Sequence, residues 1–324
     1  TAMLPEVSVV DLREELKAGN RSIFSRRLYS AMDDRLKKRE QIMLFLNRRG
    51  LSGFVSCRSC GKAVRCPHCD VTLSLHQDGW LRCHYCGYQI RMPEQCPSCG
   101  SPYISGFRAG TQQIEREVKK SFPGARVLRM DYDTTRTKES YEKILTAFGK
   151  GEADVLVGTQ MIVKGHDFPN VTLVGVIAAD ISLYAPDYRA SERTFQLLTQ
   201  AVGRAGRGKK AGEAVIQTYM PEHYSIETAA KQDYEAFYRQ EISYRSLMGY
   251  PPVENMMGIY LSCEAPELLE QQAEVIGERI RAAGRQQLQM IGPADAALAK
   301  KNDRYRKVIY IKHRDTEQLL YIKE

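Results

Sequence analysis

The sequence predicts an α/β protein: a doubly wound parallel sheet, interrupted by a cysteine-rich module and followed by a small α+β segment. Three observations predict it. Residues 103–221 alternate short apolar runs with amphipathic stretches of helical length, the pattern of strand-helix-strand units. Eight of the nine cysteines fall inside residues 57–99, all as Cys-x-x-Cys pairs, and interrupt an α/β pattern that began before them. From Pro221 the character changes again, through a Tyr-rich stretch to Gly249-Tyr250-Pro251-Pro252. At 324 residues, about twice the ~150 of a typical domain, two or three domains with ample core are expected.

In chain order, residues 5–12 (PEVSVVDL) read as a strand, and 22–49 as one long helix capped by Ser22. The cysteine block follows Gly53-Phe54-Val55 and ends near Gly100. Strands are then expected at 103–107, 126–130, 154–157, 172–178 and 213–219, with helices at 111–121, 138–149 and 190–204. A helix over 227–248 leads to the hinge, and a strand at 256–262, a helix at 265–284 and a strand at 306–312 close the chain. The expected domains are 1–56 and 101–221 as two parts of one lobe, 57–100 as the inserted module, and 222–324 as a C-terminal unit. No internal repeat or low-complexity run is evident.

Two residues between paired cysteines is the zinc-knuckle spacing, which lets both sulfurs reach one metal from a tight turn. Redox-active dithiols are the alternative. A secreted disulfide framework would spread its cysteines along the chain, and no basic-then-apolar leader opens this one. The expected compartment is the reducing cytoplasm. The longest apolar stretch, Val171 to Ala179, is far short of the ~20 residues of a membrane span. With 43% apolar and 27% charged residues, disordered and collagen-like classes are also excluded. Net charge is +8 with thiols neutral. Two tetrathiolate zinc sites would bring it to about +4, which permits a nucleic-acid partner without requiring one.

Four knuckles can pair in three ways. Cys66/Cys69 and Cys83/Cys86 flank an alternating stretch around His76-Gln77-Asp78-Gly79 that reads as a β-hairpin. A hairpin brings its ends together, so Cys66, Cys69, Cys83 and Cys86 are expected to share one zinc. Cys57, Cys60, Cys96 and Cys99 are left for the other. Sites closed by four thiolates keep no open position for a catalytic water. His68 and His84 sit inside knuckles and read as exposed loop residues, not ligands.

The chemistry is expected elsewhere. Gln200-Ala201-Val202-Gly203-Arg204-Ala205-Gly206-Arg207 ends an amphipathic helix and offers two guanidiniums three residues apart on one helical turn. Such a pair can stabilise charge developing on a transferred phosphoryl group; a solvated basic loop is the alternative, and a dinucleotide loop a weak third. Upstream, the strand at 154–157 ends in Gly158-Thr159, and Lys164-Gly165-His166-Asp167-Phe168-Pro169 follows. That places amides and a hydroxyl at the carboxyl edge of the sheet, where ligands of such folds bind, unless it is a plain strand-to-loop turn. Residues 300–307 (KKNDRYRK) combine five basic residues with Tyr305, either a single-strand-binding surface or a solvated loop. Tyr234, Tyr238 and Tyr244 follow helical spacing and read as packing residues.

GTQMIVKGHDFPNV and PDYRASERTFQLLTQAVGRAGR resemble motifs V and VI of superfamily 2 helicases. With the eight-cysteine insertion, GTQQIEREVKKSFPGARVLRMDYDTT, GYPP and GPADAALAKKNDRYRKVIYIKH, nearly the whole chain resembles the PriA family of primosomal replication-restart helicases. The resemblance implies a RecA-like second motor lobe, a two-zinc insertion and a C-terminal DNA-binding domain. It implies Arg204 and Arg207 as arginine fingers, Gln200 coupling nucleotide to the lobe interface, and Gly165 and Asp167 near the nucleotide. Thr159 and Lys164 would contact the DNA backbone, and Lys300, Lys301, Arg304, Tyr305, Arg306 and Lys307 would bind DNA. Arg189, Glu192 and Arg193 match a stretch before motif VI and equally suit an ion-pair network. Gln112 departs from the acidic residue of the family's GTE.

The implied activity is an ATP-dependent 3′→5′ DNA helicase that assembles the primosome at stalled forks, with two Zn²⁺, ATP and Mg²⁺. Its implied partners are forked and single-stranded DNA, restart proteins and single-stranded-DNA-binding protein, in the cytoplasm at the nucleoid. No G-x-x-x-x-G-K-[S/T] loop occurs: the Gly-Lys pairs at 61–62, 149–150 and 208–209 are each followed by another residue type. The chain thus reads as a segment without the first lobe, inactive alone and cut short at its C-terminal end. Two rivals stay open. A zinc-containing nucleic-acid-binding module without a motor would lose DNA affinity, not ATP turnover, on loss of Arg204 or Arg207. An RNA translocase of superfamily 2 would respond to RNA in place of DNA.

Overall fold

The computed structural model describes residues 4–46, 55–76, 78–106, 110–131, 134–135, 137–162, 167–208, 210–283 and 288–323. The first elements are β1 (Glu6–Asp11), α1 (Leu12–Lys17), α2 (Arg26–Lys37) and β2 (Gln41–Phe45). Ser25, not Ser22, caps α2, its hydroxyl accepting from the Leu28 amide at 3.2 Å. The long helix expected over 22–49 does not form. It stops at Lys37, Arg39 turns the chain at φ 55°, and Gln41–Phe45 becomes a wholly buried strand. The run Ile42-Met43-Leu44-Phe45 is apolar on every side, so periodicity could not separate buried strand from buried helix.

The cysteine module carries β3 (Val55–Cys57), β4 (Ser74–Leu75), β5 (Trp80–Arg82), β6 (Gln89–Arg91) and β7 (Ile104–Gly106). The strand expected at 103–107 belongs here, because β7 pairs antiparallel with β3 and closes the base of the insertion. The lobe resumes with α3 (Thr111–Ser121), β8 (Val127–Met130), α4 (Lys138–Gly149), β9 (Val155–Gly158) and β10 (Val171–Val176). A 3₁₀ turn (Ala179–Tyr184), α5 (Ala190–Val202) and β11 (Glu213–Thr218) complete it. The six strands form one parallel sheet in the order β1-β11-β10-β2-β9-β8. Its faces are covered separately: Leu28, Met32, Ile114 and Val118 on one side, Phe148, Phe195, Leu198 and Val202 on the other.

The helix expected over 227–248 is two, α6 (Tyr224–Ala230) and α7 (Tyr234–Met248), broken where Gln232 takes φ 53° and Asp233 caps the second. Ile226, Ala229 and Phe237 join the core of the parallel sheet. The last unit comprises β12 (Asn255–Cys263), α8 (Pro266–Ala283), β13 (Gln289–Lys301), β14 (Arg304–His313) and α9 (Thr316–Lys323). Its antiparallel sheet runs β12-β14-β13. Strand β13 and helix α9 add to the elements expected from the sequence. Gly292-Pro293-Ala294-Asp295-Ala296-Ala297 lacks the β-branched and aromatic residues that mark strands, and β13 is held by its pairing to β14. No helix among the described residues is long and apolar enough to cross a membrane.

Candidate metal centres and motor site

The four knuckles fold alike. After each Cys-x-x-Cys pair the next amide donates back to the first cysteine's carbonyl: Gly61 to Cys57, Asp70 to Cys66, Gly87 to Cys83 and Gly100 to Cys96, at 2.8–3.0 Å. All four donors have positive φ, from 49° to 79°, which explains three glycines and one aspartate at that place. The Cys-x-x-Cys-Gly/Asp recurrence is thus a short internal repeat of the sequence, four copies of one turn.

Cys57, Cys60, Cys96 and Cys99 come together, as do Cys66, Cys69, Cys83 and Cys86, with the sulfurs of each group within 4.8 Å of one another. That is the nested arrangement, and β4 and β5 form the expected hairpin between the inner pairs. Burial raises the Cys60 and Cys66 thiols, and the hydrogen bond between Cys69 and Cys83 raises the first while lowering the second, so the sulfurs of each group share their protons. Four thiolates this close need a cation, and an all-sulfur tetrad fits Zn²⁺ closed to substrate.

His68 is exposed, with its ring edge against Tyr88 at 5.4 Å. His84 is not. It is 6% exposed, its Nδ1 lies 3.2 Å from the Asp295 carbonyl, and its ring lies 5.2 Å from His76. The module docks on β13, which buries that loop; Tyr85 likewise packs on Tyr310 at 4.8 Å.

Helix α5 ends at Val202, so Arg204 and Arg207 do not share a helical turn as expected. They lie in the turns beyond it, where the Gly206 amide donates to the Val171 carbonyl at 3.0 Å. Arg207 Nε donates to the Gly203 carbonyl at 2.8 Å, and its Nη1 donates to Asp167. Arg204 Nη1 reaches the same Asp167 oxygen at 3.5 Å. Burial and the neighbouring Arg207 charge lower the pKa of Arg204. Two guanidiniums are thus gathered on one exposed carboxylate, a cluster of charged donors suited to an anion. Asp167, expected near the nucleotide, is the residue that holds them. Lys164 and Gly165 lie outside the described residues.

Thr159 follows β9 at the carboxyl edge of the sheet, where its amide donates to the Met130 carbonyl at 3.4 Å. Gln200 is exposed on α5, and Gln112 is exposed on the first turn of α3. Asp187 pairs with Arg189 (3.4 Å) and Arg193 (2.8 Å), while Glu192 pairs with Arg245 of α7 at 2.5 Å.

Residues 300–307 form a hairpin, not a loop. Asn302 and Asp303 make its two-residue turn with φ 51° and 57°. Lys300 Nζ sits 5.0 Å above the Tyr305 ring and 3.4 Å from Asp303, and Arg304 pairs with Glu264 at 3.1 Å. Lys301 is exposed and Arg306 half-buried. Lys307 is spent within the fold, pairing with Glu270 (2.7 Å) and Asp295 (3.5 Å) with only 13% of its side chain exposed. Of the tyrosines expected to pack, Tyr244 joins the core of the cysteine module, its hydroxyl donating to Asp70 at 3.3 Å, and Tyr234 sets its ring 6.2 Å from that of Phe195. Tyr234 and Tyr238 are exposed, because α7 turns that face to solvent.

Residues 66–91 match the family described as the PriA DNA helicase Cys-rich region domain, and residues 104–209 match the helicase conserved C-terminal domain. The replication restart protein PriA of Bacillus subtilis is 48% identical over 318 residues, which is 98% of this chain and 40% of that protein. The chain corresponds to the C-terminal part of PriA. The Synechocystis PriA is 45% identical over 96% of the chain and 38% of its own length, and the Thermotoga maritima PriA is 34% identical over 97% and 41%. The chain therefore spans about two fifths of the length of these PriA proteins. The first match covers the inner cysteine quartet; the second covers α3 to α5 with Thr159, Asp167, Arg204 and Arg207.

Proposed function

We propose that this chain is the second motor lobe, zinc module and C-terminal DNA-binding unit of an ATP-dependent 3′→5′ DNA helicase that restarts stalled replication forks. The observation that carries the reading is the arginine pair gathered beyond α5 on Asp167, in a lobe that also bears a PriA-type cysteine module. Bound ATP with Mg²⁺ supplies the phosphoanhydride whose hydrolysis drives movement. Arg204 and Arg207 would move from Asp167 to the terminal phosphate and neutralise its developing charge, with Gln200 beside them at the lobe interface. Gly165 and Asp167 would border the nucleotide. The chain holds no phosphate-cradling loop, so this segment alone is expected to be inactive.

Thr159 and Lys164 would hold the DNA backbone at the sheet edge. Lys300, Lys301, Arg304 and Arg306, with Tyr305, would bind DNA from the last hairpin, and Lys307 would only brace it. Each quartet would hold one Zn²⁺ as a structural closure, and the module would meet restart proteins and single-stranded-DNA-binding protein at the fork. The test joins the chain to a first lobe and measures DNA-stimulated ATP hydrolysis with Arg204→Ala and Arg207→Ala at matched DNA occupancy. Turnover should collapse while DNA affinity holds. Lost affinity with intact turnover would instead favour a binding module without a motor.

A further inference from the structure

A buried guanidinium joins the two halves of this site. Arg245, on α7, is 7% exposed and uses all three nitrogens. Its Nε donates to Glu241 at 2.7 Å, its Nη1 to the Pro251 carbonyl at 2.8 Å, and its Nη2 to Glu192 at 2.5 Å. Glu192 stands in the first turn of α5, the helix whose far end leads into Arg204 and Arg207. Thirteen residues make α5 a rigid rod of about 20 Å. The same guanidinium lies 5.4 Å over the ring of Tyr188, which stacks on Tyr250 at 4.7 Å with 8° between the planes. Tyr250 is fully buried, and its hydroxyl donates to the carbonyl of Cys69, a member of the inner quartet, at 2.9 Å. Lys312 of β14 places Nζ 3.9 Å from the Tyr250 ring centroid and donates to the Met248 carbonyl. One junction thus receives α5, α7, the inner metal knuckle and the C-terminal sheet.

From this we infer that Arg245 is a positioning residue coupling the arginine-bearing helix α5 to the inner cysteine quartet, through Glu192 on one side and Tyr188-Tyr250-Cys69 on the other. A shift of α5 when nucleotide engages its far end pulls on Glu192, and the packed ring stack transmits that shift to the Cys69 carbonyl. The outer quartet is met from the lobe by a separate contact, Tyr184 donating to the Gly61 carbonyl beside Cys60 at 2.6 Å, which does not pass through Arg245. Coupling is reciprocal, so the metal held at the inner quartet sets how readily α5 adopts its nucleotide-bound place. The inference rests on the motor reading above and adds a route by which the module senses the motor.

The test uses the zinc-loaded protein carrying both motor lobes. Zinc partition between protein and a chromophoric chelator is measured with and without a non-hydrolysable ATP analogue, in wild type, Glu192→Gln and Tyr188→Leu. Glu192→Gln keeps the Glu241–Arg245 pair, so the fold should survive; zinc content and melting temperature verify this. In wild type the analogue should change the affinity of one of the two zinc ions by at least about 5-fold. Both variants should lose that response and still bind two zinc ions. A wild type whose zinc affinity ignores the analogue, or variants that keep the full response, would overturn the coupling. ATP hydrolysis measured in the same wild-type sample separates the two readings. Hydrolysis without coupling defeats only this inference, and no hydrolysis defeats the motor reading with it.

Discussion

His223 shows how one residue can make this lobe sensitive to pH. It is largely buried between the cysteine module and α6, and its neutral Nδ1 accepts from the Ser225 amide at 3.2 Å as the cap of α6. Burial, with Arg65 nearby, lowers its pKa from 6.5 to about 4. The unfolded chain takes up a proton below pH 6.5 that the fold refuses, so the stability is complete above that pH and drains as pH falls toward 4. At pH 5.5 the loss should be about 1.4 kcal/mol. Urea titrations of the zinc-loaded protein at pH 7 and 5.5 should show His223→Asn, which keeps a cap acceptor, losing correspondingly less; equal losses would refute the assignment. Tyr250→Phe leaves the Cys69 carbonyl without its donor and should cost about 1–3 kcal/mol in the same titration. Arg204, Arg207 and the eight cysteines were legible as chemistry-bearing residue types at telling spacings. The pairing of Asp167 with both arginines was not, because it depends on how two separate loops fold against each other. Lys307 misled for a similar reason: its partners Glu270 and Asp295 come from other elements.

At the scale of elements, local pattern sufficed wherever an element owes its form to its own sequence. Helices α3 and α4 and strands β1, β8, β9, β10 and β11 fall at or within a residue or two of their expected places. Strand β2 did not, since it is fixed by burial between β9 and β10, and β13 did not, since only pairing with β14 makes it a strand. Two glycines of the cysteine module, Gly61 in a knuckle and Gly79 in the turn between β4 and β5, allow a matched test. Gly61 and Gly79 both have left-handed φ, 75° and 80°. A Cβ on Gly79 would meet nothing within 4 Å, whereas one on Gly61 would lie 2.3 Å from the Tyr219 carbonyl at the seam between module and lobe. Gly79→Ala should therefore cost only the conformational ~1–2 kcal/mol. Gly61→Ala must also push the two units apart and should cost clearly more in a urea titration. Equal costs would show that the seam is loose.

Across the whole molecule, the cysteine module is a bracket between lobe and C-terminal unit. Tyr184 donates to the Gly61 carbonyl at 2.6 Å on one side, and Tyr85 packs on Tyr310 on the other. The nested quartets were legible because a hairpin must return its ends; the bracket was not, because each contact joins residues far apart in sequence. Metal analysis should find two zinc ions per chain, with Cys57→Ser and Cys66→Ser each removing one. Stripping both should melt the module and free the C-terminal unit while the parallel sheet, whose core holds no cysteine, keeps its own thermal transition. One transition lost in full on chelation would contradict that hierarchy. The most direct test of the motor account compares fork-DNA-stimulated ATP hydrolysis by wild type and Arg207→Ala in the protein carrying both motor lobes, at matched DNA occupancy. The account predicts a fall of ~10³-fold or more with DNA affinity unchanged. Undiminished turnover would contradict it and leave the arginine pair a basic loop held by Asp167.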